Sequence, residues 1–443
     1  MKILALAACT LLVACGPDTG ANASVDTRLA TYIAGIKAVD NHAHPMRPIQ
    51  PGAPADTEYD ALPLDGIPPF TLPWRLRPEN PEWAAAAHAL YGVPVSDTGK
   101  AYLDALSAAR ARTLKTQGDN FPAWVLDRAG IEVMFANRVA VGPGLTPPRF
   151  RWVPFDDALM LPLDTRAEAA RTPDTRSLYP REEALLRRYL AALGMKAPPN
   201  TLEAYVQAVV APTLQHQHDA GAPAVKFEAA YLRPLDFAPP DTAAARSIYA
   251  RYAHGGTPTR AEYKTLQDYL FHEIARRAGR LGMAVHIHVL YEFGGYYDAN
   301  GSQPQQLQAV ANDSTLRGTN FVMLHGGWPY TNQTLTLLGK PNMYADISMM
   351  TQFIEPSQLA GVLRSWLSQW PEKVLFGSDA FDGGAAQGWD QSVWLASTSA
   401  RKALGIALTG MMRDGEISRA RAQQLASMVL RDNAVALYHL RLK

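Results

Sequence analysis

The sequence predicts an α/β protein built as a (β/α)8 TIM barrel, and three observations carry that prediction. Short apolar runs with β-branched character recur eight times; long segments of helical character separate them; and polar, chemistry-bearing residues fall at the ends of the runs. In order, the runs are Ile36 to His42, Ile131 to Arg138, Phe150 to Phe155, Ala224 to Glu228, Ala284 to Val289, Asn320 to His325, Asn342 to Ile347 and Lys373 to Ser378. A doubly wound open sheet is the alternative, but no GxGxxG fingerprint follows the first run. Two helical insertions interrupt the alternation, at about 45–130 after the first strand and 156–222 after the third.

Ahead of the barrel, MKILALAACTLLVACG carries Lys2 and then an apolar stretch from Ile3 to Ala14. That stretch is too short to span a bilayer but suits a secretory leader, so residues 1–14 are expected to be a cleaved signal peptide. Leu12-Val13-Ala14-Cys15 resembles a bacterial lipobox, which implies acylation of Cys15; a match ending at Cys9 leaves too short an apolar region. Residues 15–24 then read as a lipidated tether, and 25–443 as the barrel domain. The expected location is the periplasm or cell exterior, with membrane attachment only through the lipid. Cys15 is the last cysteine, so the mature domain is expected to rely on its core without disulfides.

Composition narrows the partner. The chain has 443 residues, 47% hydrophobic and 19% charged, with 42 basic against 41 acidic side chains and no long block of one sign. This lacks the basic footprint of a nucleic-acid binder and favours a small-molecule substrate.

The chemistry lies at the run ends. In VDNHAH, an extended backbone puts Asp40, His42 and His44 on one face and Val39, Asn41 and Ala43 on the other. VKFE separates Val225 and Phe227 from Lys226 and Glu228, and VHIHV separates Val285, Ile287 and Val289 from His286 and His288. FVMLHGG ends its run at His325, and VLFGSDA ends its run at Asp379. A lone histidine is more often a hydrogen-bonding residue than a ligand. Polar groups at five strand ends, all facing one interior, are costly unless they pair or bind a metal.

These segments resemble the amidohydrolase superfamily, more closely its amidohydrolase-related branch of metal-dependent hydrolases. VDNHAH is similar to the HxH of its first strand, HIH to the fifth-strand ligand segment, LHGG to the sixth-strand His and FGSDA to the eighth-strand Asp; DNAVALY (Asp432 to Tyr438) is similar to its closing helix. The resemblance implies a divalent metal, with zinc the expected ion, held by His42, His44 and Asp379. His288 and His325 would complete the shell of one or two ions. For the fourth strand it implies a carboxylated lysine or a glutamate, which leaves Lys226 and Glu228 both eligible; KFEAAYLRPLDF resembles the branch's Lys…Tyr-Arg segment and so favours Lys226, whose neutral buried amine could add carbon dioxide. In the fifth strand the resemblance implies His288, at the outer position nearer the strand end, as the ligand, leaving His286 and Asp40 as outer partners that orient ligands.

The implied reaction is hydrolysis of an amide, ester, lactone or related bond. Bound zinc lowers the pKa of water to roughly 7, and Asp379 is the expected proton carrier. His325 is either a ligand or an electrophile toward the scissile carbonyl. No GxSxG nucleophile elbow offers a serine alternative. A metal-dependent non-oxidative decarboxylase of the same superfamily is the second reading, and a non-catalytic surface binding protein the third. Arg233, Tyr296, Trp328 and Tyr330 are expected to meet substrate, together with the Pro- and Trp-rich start of the first insertion. Two His motifs are set aside. His216 and His218 lie two apart in a helix from Leu202 and cannot share a face, and His272-Glu273 lacks a second His and reads as helix surface.

Overall fold

The computed structural model describes residues 25–49, 52, 54–63, 71–94, 99–171, 174–291 and 297–442. The leader, Cys15 and Tyr296 lie outside the described residues. Each of the eight runs contains a strand: β1 Ala38–Ala43, β2 Ile131–Asn137, β3 Phe150–Val153, β4 Ala224–Phe227, β5 Ala284–His288, β6 Phe321–Leu324, β7 Met343–Asp346 and β8 Val374–Leu375. Strand neighbours follow chain order in two parallel ladders, β1-β2-β3 and β4-β5-β6-β7-β8.

Backbone hydrogen bonds join both seams. Between β3 and β4, Lys226 N donates to Pro154 O at 2.8 Å and Asp156 N to Lys226 O at 2.9 Å. Between β8 and β1, Asn41 N donates to Phe376 O at 3.0 Å and Asp379 N to His42 O at 2.8 Å. The eight strands therefore run a full circuit, as the alternation of runs predicts.

Period-two alternation sorts β4 and β5 as expected. Val225, Phe227, Val285, Ile287 and Val289 pack outward among the helices, where the Phe227 and Phe271 ring centroids are 5.1 Å apart. Ala224 and Ala284 instead join an inner cluster with Val133, Phe135, Leu324 and Tyr438. Lys226 pairs with His286 across the ladder, which sets both at one level of the barrel.

β1 departs from simple alternation. Val39 belongs to the inner cluster, and Asn41 Oδ1 accepts from the Tyr438 hydroxyl at 3.0 Å, so both face the interior expected for the Asp40, His42 and His44 face. A register shift between Asp40 and Ala43 explains the difference, because an irregular strand can turn neighbouring side chains to one side. Asp40 stays in the wall. Its Oδ1 accepts from Ser378 N at 2.8 Å and His42 N at 3.3 Å, tying β8 to β1.

The first insertion contains helices Pro81–Tyr91, Lys100–Gln117 and Phe121–Ala129. Asn80 starts the first of these by accepting from Glu82 N ahead of Pro81, and Gly92 ends it at φ 70°, a left-handed conformation that glycine adopts without strain. The second insertion holds helix Tyr179–Ala192 and helical turns from Leu202 to Asp219. Tyr189 and Tyr205 anchor it, donating to Phe155 O at 2.6 Å and Leu159 O at 2.9 Å. At the opposite end the short helix Asn433–Leu437 closes the barrel, with Asn433 Nδ2 donating to Val374 O at 2.8 Å. No helix among the described residues is long and apolar enough to cross a membrane.

Candidate metal centre and cavity

The strand ends open into a cavity of about 370 Å³ whose walls include His42, His44, Lys226, Glu228, His288, His325 and Asp379. All seven are buried. Asp379 is the meeting point: its Oδ1 lies 2.9 Å from His42 Nε2 and 3.4 Å from His44 Nε2, and its Oδ2 lies 3.7 Å from His325 Nδ1. Asp379 and His325 both hold left-handed backbone conformations, φ 52° and 65°, which residues other than glycine seldom adopt and which concentrate at functional sites. Gly326, which follows His325, has φ 57°, and a Cβ there would lie 2.5 Å from Trp366 and 2.6 Å from Met350, so a larger residue would be strained.

Lys226 Nζ lies 3.5 Å from His42 Nε2 and 3.6 Å from Glu228 Oε1, so both fourth-strand candidates reach the centre. His288 Nδ1 lies 3.1 Å from His325 Nε2. His286 is not among the residues lining the cavity; its Nε2 lies 2.8 Å from the Tyr438 hydroxyl.

The donor set fits a divalent ion. Two groups gather ligand atoms within 4.8 Å of one another, His42 with His325 and Asp379, and His44 with Asp60 and Glu228. Ligands around a tetrahedral zinc stand roughly 3.3 Å apart, close to the spacing of the two imidazoles from Asp379. Buried polar atoms also lack partners here, among them His42 Nδ1, His288 Nε2 and Glu228 Oε2. Such orphans are expensive in a dry core unless a cation or water completes them.

Charge at the centre is strongly biased. Burial opposes a proton on His44, yet the flanking Asp60 and Asp379 carboxylates outweigh it and push its pKa up to about 10. Burial and the nearby Lys226 push His42 down to about 3. Burial alone would raise Asp379, but the His325 and His42 imidazoles hold it well below the usual carboxylate range. The carboxylates that would keep a proton on His44 would equally hold a metal ion in its place.

Several residues that the sequence reading left out reach the site. Asp60, from the first insertion, stands 3.1 Å from His44 Nδ1, off the direction of a ring hydrogen bond. Tyr59, Leu62 and Leu76 of the same insertion and Tyr231 after β4 help wall the cavity. Ser348 and Asp346, at the end of β7, bond to His325. For Asp346 and Ser348, position at a strand end is a signal that could have found them; the insertion residues carry none.

Other expected contacts fall elsewhere. Arg233 is buried away from the cavity walls: its guanidinium donates to Asp268 Oδ1 at 2.7 Å and Gln267 Oε1 at 3.2 Å and lies 4.3 Å from the Phe237 ring centroid, which occupies the donors that were to meet substrate. Trp328 and Tyr330 do not line the cavity either; Tyr330 donates to Ala299 O at 3.4 Å. His218 is exposed beside Asp219, and His216 lines a separate cavity of about 260 Å³. His272, expected on a helix surface, is instead buried in helix Arg260–Arg280, with Nδ1 2.7 Å from Asp268 O one turn earlier.

A barrel that presents imidazoles and carboxylates at its strand ends defines a metal-dependent barrel protein. The model of the Amidohydrolase family matches residues 147–440, and the chain belongs to that family. No curated protein matches it. Among solved structures, a Lactobacillus casei protein described as a metal-dependent hydrolase is similar over 95% of this chain and 100% of its own, at 17% identity and a TM-score of 0.59. Glucuronate isomerase from Caulobacter crescentus is similar over 94% of each chain, at 14% identity and a TM-score of 0.61. Uronate isomerase from Thermotoga maritima covers 93% of this chain and 96% of its own, at 13% identity and a TM-score of 0.56. At these identities the likeness establishes the shared fold.

Proposed function

We propose that this chain is an exported, metal-dependent hydrolase that cleaves an amide, ester, lactone or related bond of a small molecule. The observation that carries this reading is the convergence of His42 Nε2 and His44 Nε2 on one oxygen of Asp379 at the floor of the cavity. His42, His44 and Asp379 would hold the ion, with His325, His288 and Lys226 or Glu228 placed to complete one or two sites. When bound, the ion supplies Lewis acidity and an activated water at neutral pH.

The protein groups supply the rest. Asp379, kept ionised by the imidazoles around it, takes the proton of the attacking water and returns it to the leaving atom. Lys226, carboxylated or paired with Glu228, fixes the spacing between the two ligand groups. Leu62, Leu72 and Leu76 from the first insertion and Tyr231 exclude water from the substrate side.

A neutral substrate suits the walls. Lys226 is the one Lys or Arg among the described lining residues, and Asp60, Glu228, Asp379 and Asp382 line the same cavity. Substrates of a decarboxylase or a uronate isomerase carry a carboxylate, and Arg233 is not placed to receive it. The test is a screen of the mature chain, supplied with zinc and bicarbonate, against amides, esters, lactones and aromatic acids. Hydrolysis of a neutral substrate is expected; carbon dioxide release from an aromatic acid, with no hydrolysis, would replace this reading by the decarboxylase.

A further inference from the structure

Asp346 ends β7 as a hub that only receives hydrogen bonds. Its Oδ1 accepts from His325 N at 2.7 Å, Ser348 N at 3.1 Å and the Ser348 hydroxyl at 2.6 Å, and its Oδ2 accepts from Asn41 Nδ2 at 2.8 Å. Asn41 is oriented unambiguously, since its Nδ2 faces a second acceptor, Phe376 O, and its Oδ1 accepts from Tyr438. With four donors around it and all of them buried, the Asp346 side chain serves as a carboxylate acceptor.

The consequence passes through Ser348 to His325. The hydroxyl proton of Ser348 is committed to Asp346, so the contact between Ser348 Oγ and His325 Nδ1, 2.9 Å, is made by the ring N–H. A neutral imidazole has one N–H, so Nε2 of His325 is then bare and accepts from His288 Nδ1 at 3.1 Å. The backbone is built for this approach. A Cβ on Gly377 would lie 2.6 Å from Asp346 Oδ2 and 2.9 Å from both Asn41 Nδ2 and Ser348 Cβ, so only glycine lets the end of β8 pass beside the network.

We infer that Ser348 and Asp346 are positioning residues that hold His325 with its proton on Nδ1 and an unprotonated Nε2 facing His288. This rests on the hydrolase reading only for what the bare nitrogen is used for, and it selects between the two roles open to His325. His325 acts as a ligand or proton acceptor, not as an N–H electrophile toward the substrate carbonyl. The partner that orients a ligating imidazole commonly accounts for about 10–100-fold in metal affinity.

The test reads the ring nitrogens directly, by ¹⁵N NMR of the full mature chain as purified with labelled histidine. The proton is expected on Nδ1 of His325 in the wild type, and finding it on Nε2 overturns the inference without any variant. Ser348→Ala, which keeps the backbone and removes the hydroxyl, is expected to move part of the population to the Nε2–H form. It is also expected to weaken zinc binding, measured by chelator competition, by about 10–100-fold while the protein stays folded. An unchanged tautomer and zinc affinity in a folded Ser348→Ala protein would reduce the network to packing. Neither readout needs a substrate, so failure of the hydrolase reading is seen separately in the turnover screen.

Discussion

Asp379 Oδ1 stands 2.9 Å from His42 Nε2, across the seam where the last strand of the barrel meets the first. Asp379 N donates to His42 O, one of the backbone hydrogen bonds that join this seam, so the bonding that closes the barrel also brings two proposed ligands together. Stability and site geometry are therefore coupled at this seam.

Asp379→Asn keeps the shape of the side chain and one ligating oxygen but removes its basicity. Folding should survive. General acid-base catalysis commonly contributes about 10²–10⁴-fold, so turnover should fall by at least that order while a substrate analogue still binds. The acidic limb of the pH–rate profile should disappear from whatever activity remains. Near-normal turnover with an unaltered profile would assign the proton to another group.

Asp60→Asn tests the unexpected neighbour of His44. Removing this charge should weaken zinc affinity by about 10–100-fold, as is common for carboxylates that stand behind a ligating imidazole. It should also change KM, because Asp60 lies in the insertion that walls the cavity. Zinc affinity and KM both at wild-type values would make the 3.1 Å contact incidental.

The eight strands and the ligand-bearing ends could be read from the chain because period-two patterning and strand-end position are local properties. VKFE and HIH carry their facing with them, whereas the irregular β1 turns Val39 and Asn41 inward as well. Asp60 could not be read this way, since an insertion without periodicity gives no direction to its side chains, and only the packed fold brings it to His44. Asp346 and Ser348 were hidden for a related reason: their role appears only when β6, β7 and β8 lie side by side. Arg233 shows the reverse failure. A cation near a strand end looks available in sequence, yet Asp268, from helix Arg260–Arg280, claims it.

Stability should depend on pH through Asp56. This buried carboxyl binds the guanidinium of Arg138 at 2.8 Å and accepts from Arg47 N at 2.9 Å. Burial opposes its ionisation, but Arg138 and the N–H donors overcome that and lower its pKa in the fold. A lowered folded pKa means that the contribution is complete above the unfolded value of roughly 3.9 and is lost as pH falls through the folded value. Asp56→Asn should lower unfolding free energy by on the order of 3 kcal/mol at pH 7 and flatten the acid limb of stability, measured by denaturant titration. Equal stability of the two proteins at pH 7 would refute the pairing.

Cys15→Ser examines the export half of the proposal. Fatty-acid labelling in cells should vanish and the protein should appear in the soluble fraction. Labelling that persists would refute the lipobox reading and leave the barrel chemistry untouched.

The central claim is that His42 and His44, with Asp379, hold a catalytic divalent ion, and metal content tests it most directly. Zinc bound per chain is to be measured by mass spectrometry after dialysis for the wild type, His42→Ala, His44→Ala, His216→Ala and His218→Ala, with turnover on the best substrate alongside. The account predicts at least one tightly held zinc in the wild type, loss of most zinc and activity in the first two variants, and neither loss in the last two. Full zinc content and turnover in a folded His42→Ala or His44→Ala protein would contradict it.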